Sequence, residues 1–328
     1  MMDIQIILNR KLNLTKTISI KIKNLLEHWK IFLKVLEGID MKVVILAGGL
    51  GTRLAEYTGR IPKPMVKIGT MPIIWHIMKI YSQYGFNEFI LPLGYKGELI
   101  KEFFLNLKYF QSDFTIDTSN GEIKIHQNNS DEWKITLVDT GLNTMTGGRL
   151  LKLKKYIGDE NFFLTYGDGL ANVNIKKLYE FHLENKKMVT ITAVKPAGRF
   201  GKIEISQKDH NVTSFKEKPK EENDWINGGF FVFEPEFFEY LNDEQTILED
   251  EPLQKVSMKN ELIAYKHKGF WQCMDNKKDY DYLNNLWEEN KQYWLYPKFI
   301  TNDSDKSHFN DFYRTKKDFH WNLKNAIS

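Results

Sequence analysis

The apolar strand Lys42–Leu46 runs without a break into Ala47 Gly48 Gly49 Leu50 Gly51 Thr52 Arg53 Leu54, and no other stretch limits the chain so strongly. A compact strand that opens into a glycine loop is the start of a parallel, helix-covered sheet. Glycines let consecutive backbone amides approach phosphate oxygens with no Cβ in the way, and Arg53 adds a fork-shaped cation able to clamp two oxygens. The glycines fall at 48, 49 and 51 with an arginine at 53, so the spacing is neither the dinucleotide fingerprint nor a Walker loop, which needs a lysine. A plain glycine turn between strand and helix is the alternative for this segment alone.

Downstream, strands and helices alternate. The pattern predicts a helix over Pro72 to Tyr84, with Ile73, Ile77, Tyr81 and Tyr84 on one face, a strand over Glu88 to Leu93, and a helix over Lys96 to Leu107. Strands follow at Ile135 to Val138, Phe162 to Tyr166 and Met188 to Val194, with a helix from Ile175 to Lys186 before the last. Shorter, turn-rich strands at Gly201 to Ser206, Val212 to Lys216 and Gly229 to Glu234 suggest an antiparallel lobe on the same sheet, and a helix near Lys277 to Asn290 closes the core. The expected fold class is α/β. Residues 41–290 form its domain; residues 1–40 are an extension with an amphipathic helix (Leu25, Leu26, Trp29, Phe32, Leu33, Leu36), expected to be dispensable, with Met41 a candidate start. Residues 291–328 form a peripheral tail.

With 42% hydrophobic residues among 328, the chain is able to bury a large core. The net charge of +3 is concentrated at the ends: residues 1–40 hold seven Lys/Arg against four Asp/Glu, and residues 296–328 six against four, which leaves the middle at −2. The folded body therefore lacks the basic stripe of a nucleic-acid binder. No apolar run reaches the roughly eighteen residues of a membrane span. The single cysteine, Cys273, excludes an internal disulfide, and the start lacks the layout of a secretory signal, so the expected compartment is the cytoplasm.

Pro62 Lys63 Pro64 Met65 pins a lysine between two prolines, which fixes its direction at low entropic cost and suits it to phosphate. Here a solvated lysine in a rigid loop is the alternative. Among the eight histidines no metal-ligand spacing occurs, and His76 reads as a packed core residue.

AGGLGTRL followed by PKPM and PIIWHIM resembles the nucleotidylyltransferase family that activates sugar 1-phosphates, and within it the glucose-1-phosphate cytidylyltransferases. The matching segments continue through Gly94 to Gly97, Leu137 to Gly141, Thr144 to Leu150, Tyr166 to Gly169, Gly198 to Gly201, Phe215 to Pro219, Ile226 to Phe231 and Gly269 to Asp275. The resemblance implies a Rossmann-like mixed sheet covered by helices, the nucleotide-diphospho-sugar transferase fold, with a smaller antiparallel sugar-side lobe. It implies that Leu46, Ala47, Gly48, Gly49, Leu50, Gly51, Thr52 and Arg53 hold the nucleoside triphosphate, with Thr144, Arg149 and Gly167 beside it. Lys63 would meet phosphates, Glu217, Lys218, Asn227 and Gly228 would serve the sugar, and Asp168 and Asp275 would hold Mg²⁺, a hard cation that prefers few protein oxygens. Arg53, Lys63 and Asp168 would be the catalytic set.

Taken singly, Asp168 reads better as a turn former and Asp275 as a helix N-cap, and only together with the glycine loop do they point to a metal; Glu217 and Lys218 have an ordinary surface ion pair as their alternative. Arg60, Ile61, Cys273 and Asn276 depart from the family pattern around PKP and the second aspartate. The implied reaction is in-line attack of glucose 1-phosphate on the α-phosphorus of CTP, with pyrophosphate leaving. The resemblance also implies a homo-oligomer and a role in deoxysugar supply for surface polysaccharide such as O-antigen. A uridylyl- or thymidylyltransferase, or a transferase acting on another sugar phosphate, keeps the class and changes the substrates. A catalytically silent nucleotide-binding regulatory subunit would have lost Arg53, Lys63, Asp168 or Asp275, and all four are present.

Overall fold

A computed structural model of the chain describes residues 41–128, 131–196, 202–205, 212–216 and 225–295. The first helices and strands follow from apolar runs bounded by Pro, Gly or Asn. Strand β1 (Lys42–Leu46) is followed by helix α1 (Ile73–Ser82), β2 (Glu88–Leu93), α2 (Gly97–Phe110) and β3 (Lys134–Asp139). Next come α3 (Thr146–Lys152), β4 (Phe162–Tyr166), β5 (Gly169–Ala171), α4 (Ile175–Asn185) and β6 (Val189–Val194). The chain continues through β7 (Ile226–Phe233), α5 (Glu251–Met258), β8 (Leu262–Lys266), β9 (Trp271–Cys273) and α6 (Lys277–Glu288).

Seven strands make one mixed sheet in the order β8-β6-β7-β4-β1-β2-β3. Strand β7 runs antiparallel to both neighbours, whereas β1, β2, β3 and β4 pair in parallel and β6 pairs in parallel with β8. The sheet is apolar on both faces, as a sheet covered twice must be. Val43, Ile45, Phe163, Phe230 and Val232 face one cluster, filled by α1, α4 and α6; Val44, Phe162, Leu164, Phe231 and Phe233 face the other, filled by α3, α5 and Phe237.

The strand expected at Gly229 to Glu234 begins at Ile226 and lies in the interior of the main sheet, antiparallel to both neighbours. The reason is its side chains: Phe230, Phe231, Val232 and Phe233 are all fully buried, and two apolar faces need cover on both sides. A separate antiparallel pair joins Lys202–Ile205 to Val212–Lys216. An unanticipated hairpin, Ser112–Asp117 with Glu122–Asn128, stands off the edge after α2. Residues 1–40, 296–328 and 217–218, and the segment Gly198 to Gly201, lie outside the described residues. No helix among those described is long and apolar enough to cross a membrane.

The sequence reading missed α3 because its two glycines weaken a helix on propensity alone. Tertiary contact supplies the need for them. The loop at 244–246 lies across the start of α3, with Met145 N donating to Glu244 O at 2.9 Å and Gly148 N to Thr246 O at 3.1 Å, and a Cβ on Gly148 would collide with the Glu244 backbone. Alanine favours a helix over glycine by about 1 kcal/mol, but overpacking against backbone costs about 1–3 kcal/mol. Gly148→Ala is therefore expected to lower stability in a denaturant titration; unchanged or raised stability would remove this packing constraint.

His76 is fully buried on α1, its Nε2 bonded to Ile68 O at 2.9 Å and its Nδ1 accepting from Trp294 Nε1 at 3.3 Å. Burial pushes its pKa down to about 4, against a smaller opposing pull from the backbone carbonyls. The unfolded chain takes up this proton near 6.5 and the folded chain does not, so the stability contribution is complete above about 6.5 and is lost as pH falls toward 4. The loss should amount to about 3 kcal/mol across that window. Denaturant titrations of wild type and His76→Gln should differ in pH slope by close to one proton between pH 4 and 6.5; identical slopes would contradict the buried neutral imidazole.

Candidate active site

The C-terminal ends of β1, β2, β3 and β4 share one edge of the sheet, where ligands of open α/β sheets bind. The loops leaving those ends carry the residues singled out in the sequence. After β1, Leu46 is half-buried and Ala47 buried, while Gly49, Leu50, Thr52 and Arg53 are exposed and Gly51 turns at φ +63°. A Cβ on Gly48 would strike the Arg149 guanidinium, whereas one on Gly49 would meet only open space. Internal packing therefore explains the first glycine and leaves the second open to an approaching ligand.

Arg149 projects from α3 into the body of the site and is buried. Its Nη1 donates to Leu93 O at 3.0 Å, Thr140 Oγ1 at 2.7 Å and Gly141 O at 2.9 Å, and its Nη2 to Gly48 O at 3.0 Å and Leu142 O at 3.2 Å. In this geometry it ties the glycine loop to the ends of β2 and β3. Thr144 is also buried and donates to Thr140 O at 2.6 Å.

On the other side of the loop four charges meet. Lys63 Nζ lies 2.6 Å from Asp168 Oδ2 and 2.9 Å from Asp275 Oδ1, and Arg53 Nη1 lies 3.0 Å from Asp275 Oδ2. Lys63 begins a single helical turn after Pro62, with Met65 N bonded back to Pro62 O at 2.8 Å. Gly167 is buried between the end of β4 and Asp168. The aspartates are brought together by a short ribbon: β5 pairs antiparallel with β9, Gly169 opposite Cys273, and Met274 N donates to Asp168 O at 2.8 Å.

The N-cap of α6 is Asn276, whose side chain accepts from Lys278 N and Asp279 N in a capping box closed by Asp279. Asp275 is thus relieved of capping, and its carboxylate turns to the cations. Burial alone would raise the Asp275 pKa, but the hydrogen bond and charge of Lys63, with the charge of Arg53, outweigh it and hold the carboxyl below its usual range. For Lys63 burial is again the largest single influence and lowers the pKa, yet Asp168 and Asp275 together raise it overall.

Beside this cluster opens a cleft of about 530 Å³, within the size of small-molecule sites. Arg53, Asp168 and Asp275 line it together with Tyr166, Asn227, Gly228 and Trp271. Trp271 Nε1 donates to Gly228 O at 2.8 Å, and Asn227 Oδ1 accepts from Gly229 N at 2.8 Å. Tyr166 and Trp271 stand in the matching motifs with no role assigned by sequence, although Tyr166 ends a strand two residues before Asp168. Glu217 and Lys218 lie outside the described residues.

Residues 42–294 match the model of a family described as nucleotidyl transferase. The glucose-1-phosphate cytidylyltransferase of Salmonella typhimurium is 48% identical over 255 residues, 77% of this chain and 98% of that protein. The probable glucose-1-phosphate cytidylyltransferase of Bacillus subtilis is 47% identical over 77% of this chain and 99% of its own length. Among solved structures, HddC from Yersinia pseudotuberculosis superposes with a TM-score of 0.56 at 26% identity, covering 75% of this chain and 99% of that one. With its glycine loop, its paired aspartates and this extent of match, the chain belongs to the nucleotidyl transferase family.

Proposed function

We propose that this chain transfers a cytidylyl group from CTP to α-D-glucose 1-phosphate, giving CDP-glucose and pyrophosphate in the cytoplasm, as a homo-oligomer. The observation that carries the reading is the meeting of Arg53, Lys63, Asp168 and Asp275 at the mouth of the glycine loop, beside a cleft large enough for a sugar phosphate. Two relatives that this chain matches over nearly their whole length, with 48% and 47% identity, are named for this activity.

The sugar phosphate is ionised at neutral pH and needs no general base, so the protein's task is positioning and charge neutralisation. Backbone amides of Gly48 to Thr52 would cradle the triphosphate, and Arg53, with its side chain 77% exposed, is free to swing from Asp275 onto a phosphate. Lys63 is directed by its flanking prolines and by two carboxylates, and its ammonium would lie beside the reacting groups. Asn227 and Gly228 would border the sugar, with Glu217 and Lys218 implied there by resemblance.

Asp168 and Asp275 would hold Mg²⁺. The donor set fits, because one point, now marked by Lys63 Nζ, is within 3 Å of an oxygen from each carboxylate, and magnesium takes one or two protein carboxylates together with substrate phosphates. Among the described residues no larger cluster of His, Cys, Asp or Glu competes as a metal site. When bound, the ion would neutralise phosphate charge and orient the α-phosphorus for in-line attack.

Pyrophosphate release measured with CTP, UTP and dTTP against glucose 1-phosphate should be fastest with CTP; a preference for UTP or dTTP would overturn the base assignment. Arg53→Ala should lower turnover by on the order of 10²-fold through lost charge stabilisation. Its melting temperature should not change, since the side chain is exposed, and near-normal turnover would remove the triphosphate role.

A further inference from the structure

The wall of the cleft that carries Asn227 is held from behind by a carboxylate outside the matched motifs. Glu249, in the loop before α5, accepts from Tyr166 OH at 2.7 Å through Oε1 and from Thr146 Oγ1 at 2.8 Å through Oε2. The Tyr166 hydroxyl, its proton given to Glu249, accepts from Asn227 Nδ2 at 3.0 Å. At the other end of the amide, Gly229 N can only donate, so it must face Oδ1. The two bonds fix which way the amide lies. One Asn227 N–H and one lone pair on Oδ1 remain to meet a ligand hydroxyl.

We propose that Tyr166 and Glu249 are positioning residues for sugar-phosphate recognition, fixing the donor and acceptor sense of Asn227 in the cleft. The inference rests on reading that cleft as the sugar site. An ordinary phenol, with a pKa of about 10, remains the donor to the Glu249 carboxylate in the neutral range. The same carboxylate holds Thr146, the first residue of α3, and α3 carries the Arg149 that grips Gly48 O. Glu249 therefore stands between the sugar wall and the helix that shapes the nucleotide loop, and its loss should be felt first at the sugar.

Steady-state kinetics of Tyr166→Phe, Glu249→Ala and Glu249→Gln, varying each substrate in turn, test this. Losing the acceptor for Asn227 in Tyr166→Phe, or the carboxylate that fixes that hydroxyl's proton in Glu249→Ala, should raise KM for glucose 1-phosphate about tenfold, with the nucleotide KM nearly unchanged. Glu249→Gln keeps an acceptor for the phenol and should recover most of the loss. In an Asn227→Ala background Tyr166→Phe should have no further effect, because the two act as one unit. An active wild type whose variants lose melting temperature but keep the sugar KM, or whose effects multiply with Asn227→Ala, would overturn the inference alone. A wild type that turns over no sugar phosphate would overturn the functional reading, and this inference with it.

Discussion

Two aspartates far apart in the chain share one ammonium, and the architecture of the site depends on that meeting. Asp168 and Asp275 face Lys63 at 2.6 and 2.9 Å, and at Asp275 the cations outweigh a burial that alone would favour the neutral acid. A cation held between two carboxylates offsets their mutual repulsion. The pairing of β5 with β9 sets the spacing, and the capping of α6 by Asn276 leaves the second carboxylate free. Remove either device and the site becomes two unrelated acids on two loops.

Around this centre the fold supplies rigidity by spending polar side chains on backbone. Arg149 distributes its terminal nitrogens over four carbonyls and a hydroxyl, and so ties the loops after β1 and β3 to the end of β2. The glycine at 148 lets the 244–246 loop lie against α3, and Glu249 from its continuation reaches Tyr166 at the cleft. A reaction whose nucleophile is already ionised gains mainly from such preorganisation.

Much of this was legible in the sequence where the signal is local. The strand Lys42–Leu46, the glycine loop, the proline-flanked lysine and the helix over Ile73–Ser82 all follow from short-range chemistry. What was not legible depends on distant partners. Nothing within Thr144 to Leu150 reveals that Arg149 will be buried on carbonyls from three loops, or that its neighbouring glycine exists to admit residue 244. The strand expected at Gly229 to Glu234 is grouped with the antiparallel lobe because its surroundings are turn-rich, while the four buried apolar residues in succession of Ile226–Phe233 argue for the middle of a sheet. Asp275 was indistinguishable from a helix cap until Asn276 was found in that role.

The central claim is that Asp168 and Asp275 act as one cation-holding unit, and alanine substitution of each, singly and together, tests it most directly when turnover is followed across a Mg²⁺ titration with melting temperatures in parallel. Each single variant should lose on the order of 10³-fold in turnover, and the double variant should be little worse than either, because residues acting as a unit are non-additive. Losses that multiply in the double variant, or wild-type turnover that persists in EDTA, would contradict the shared site.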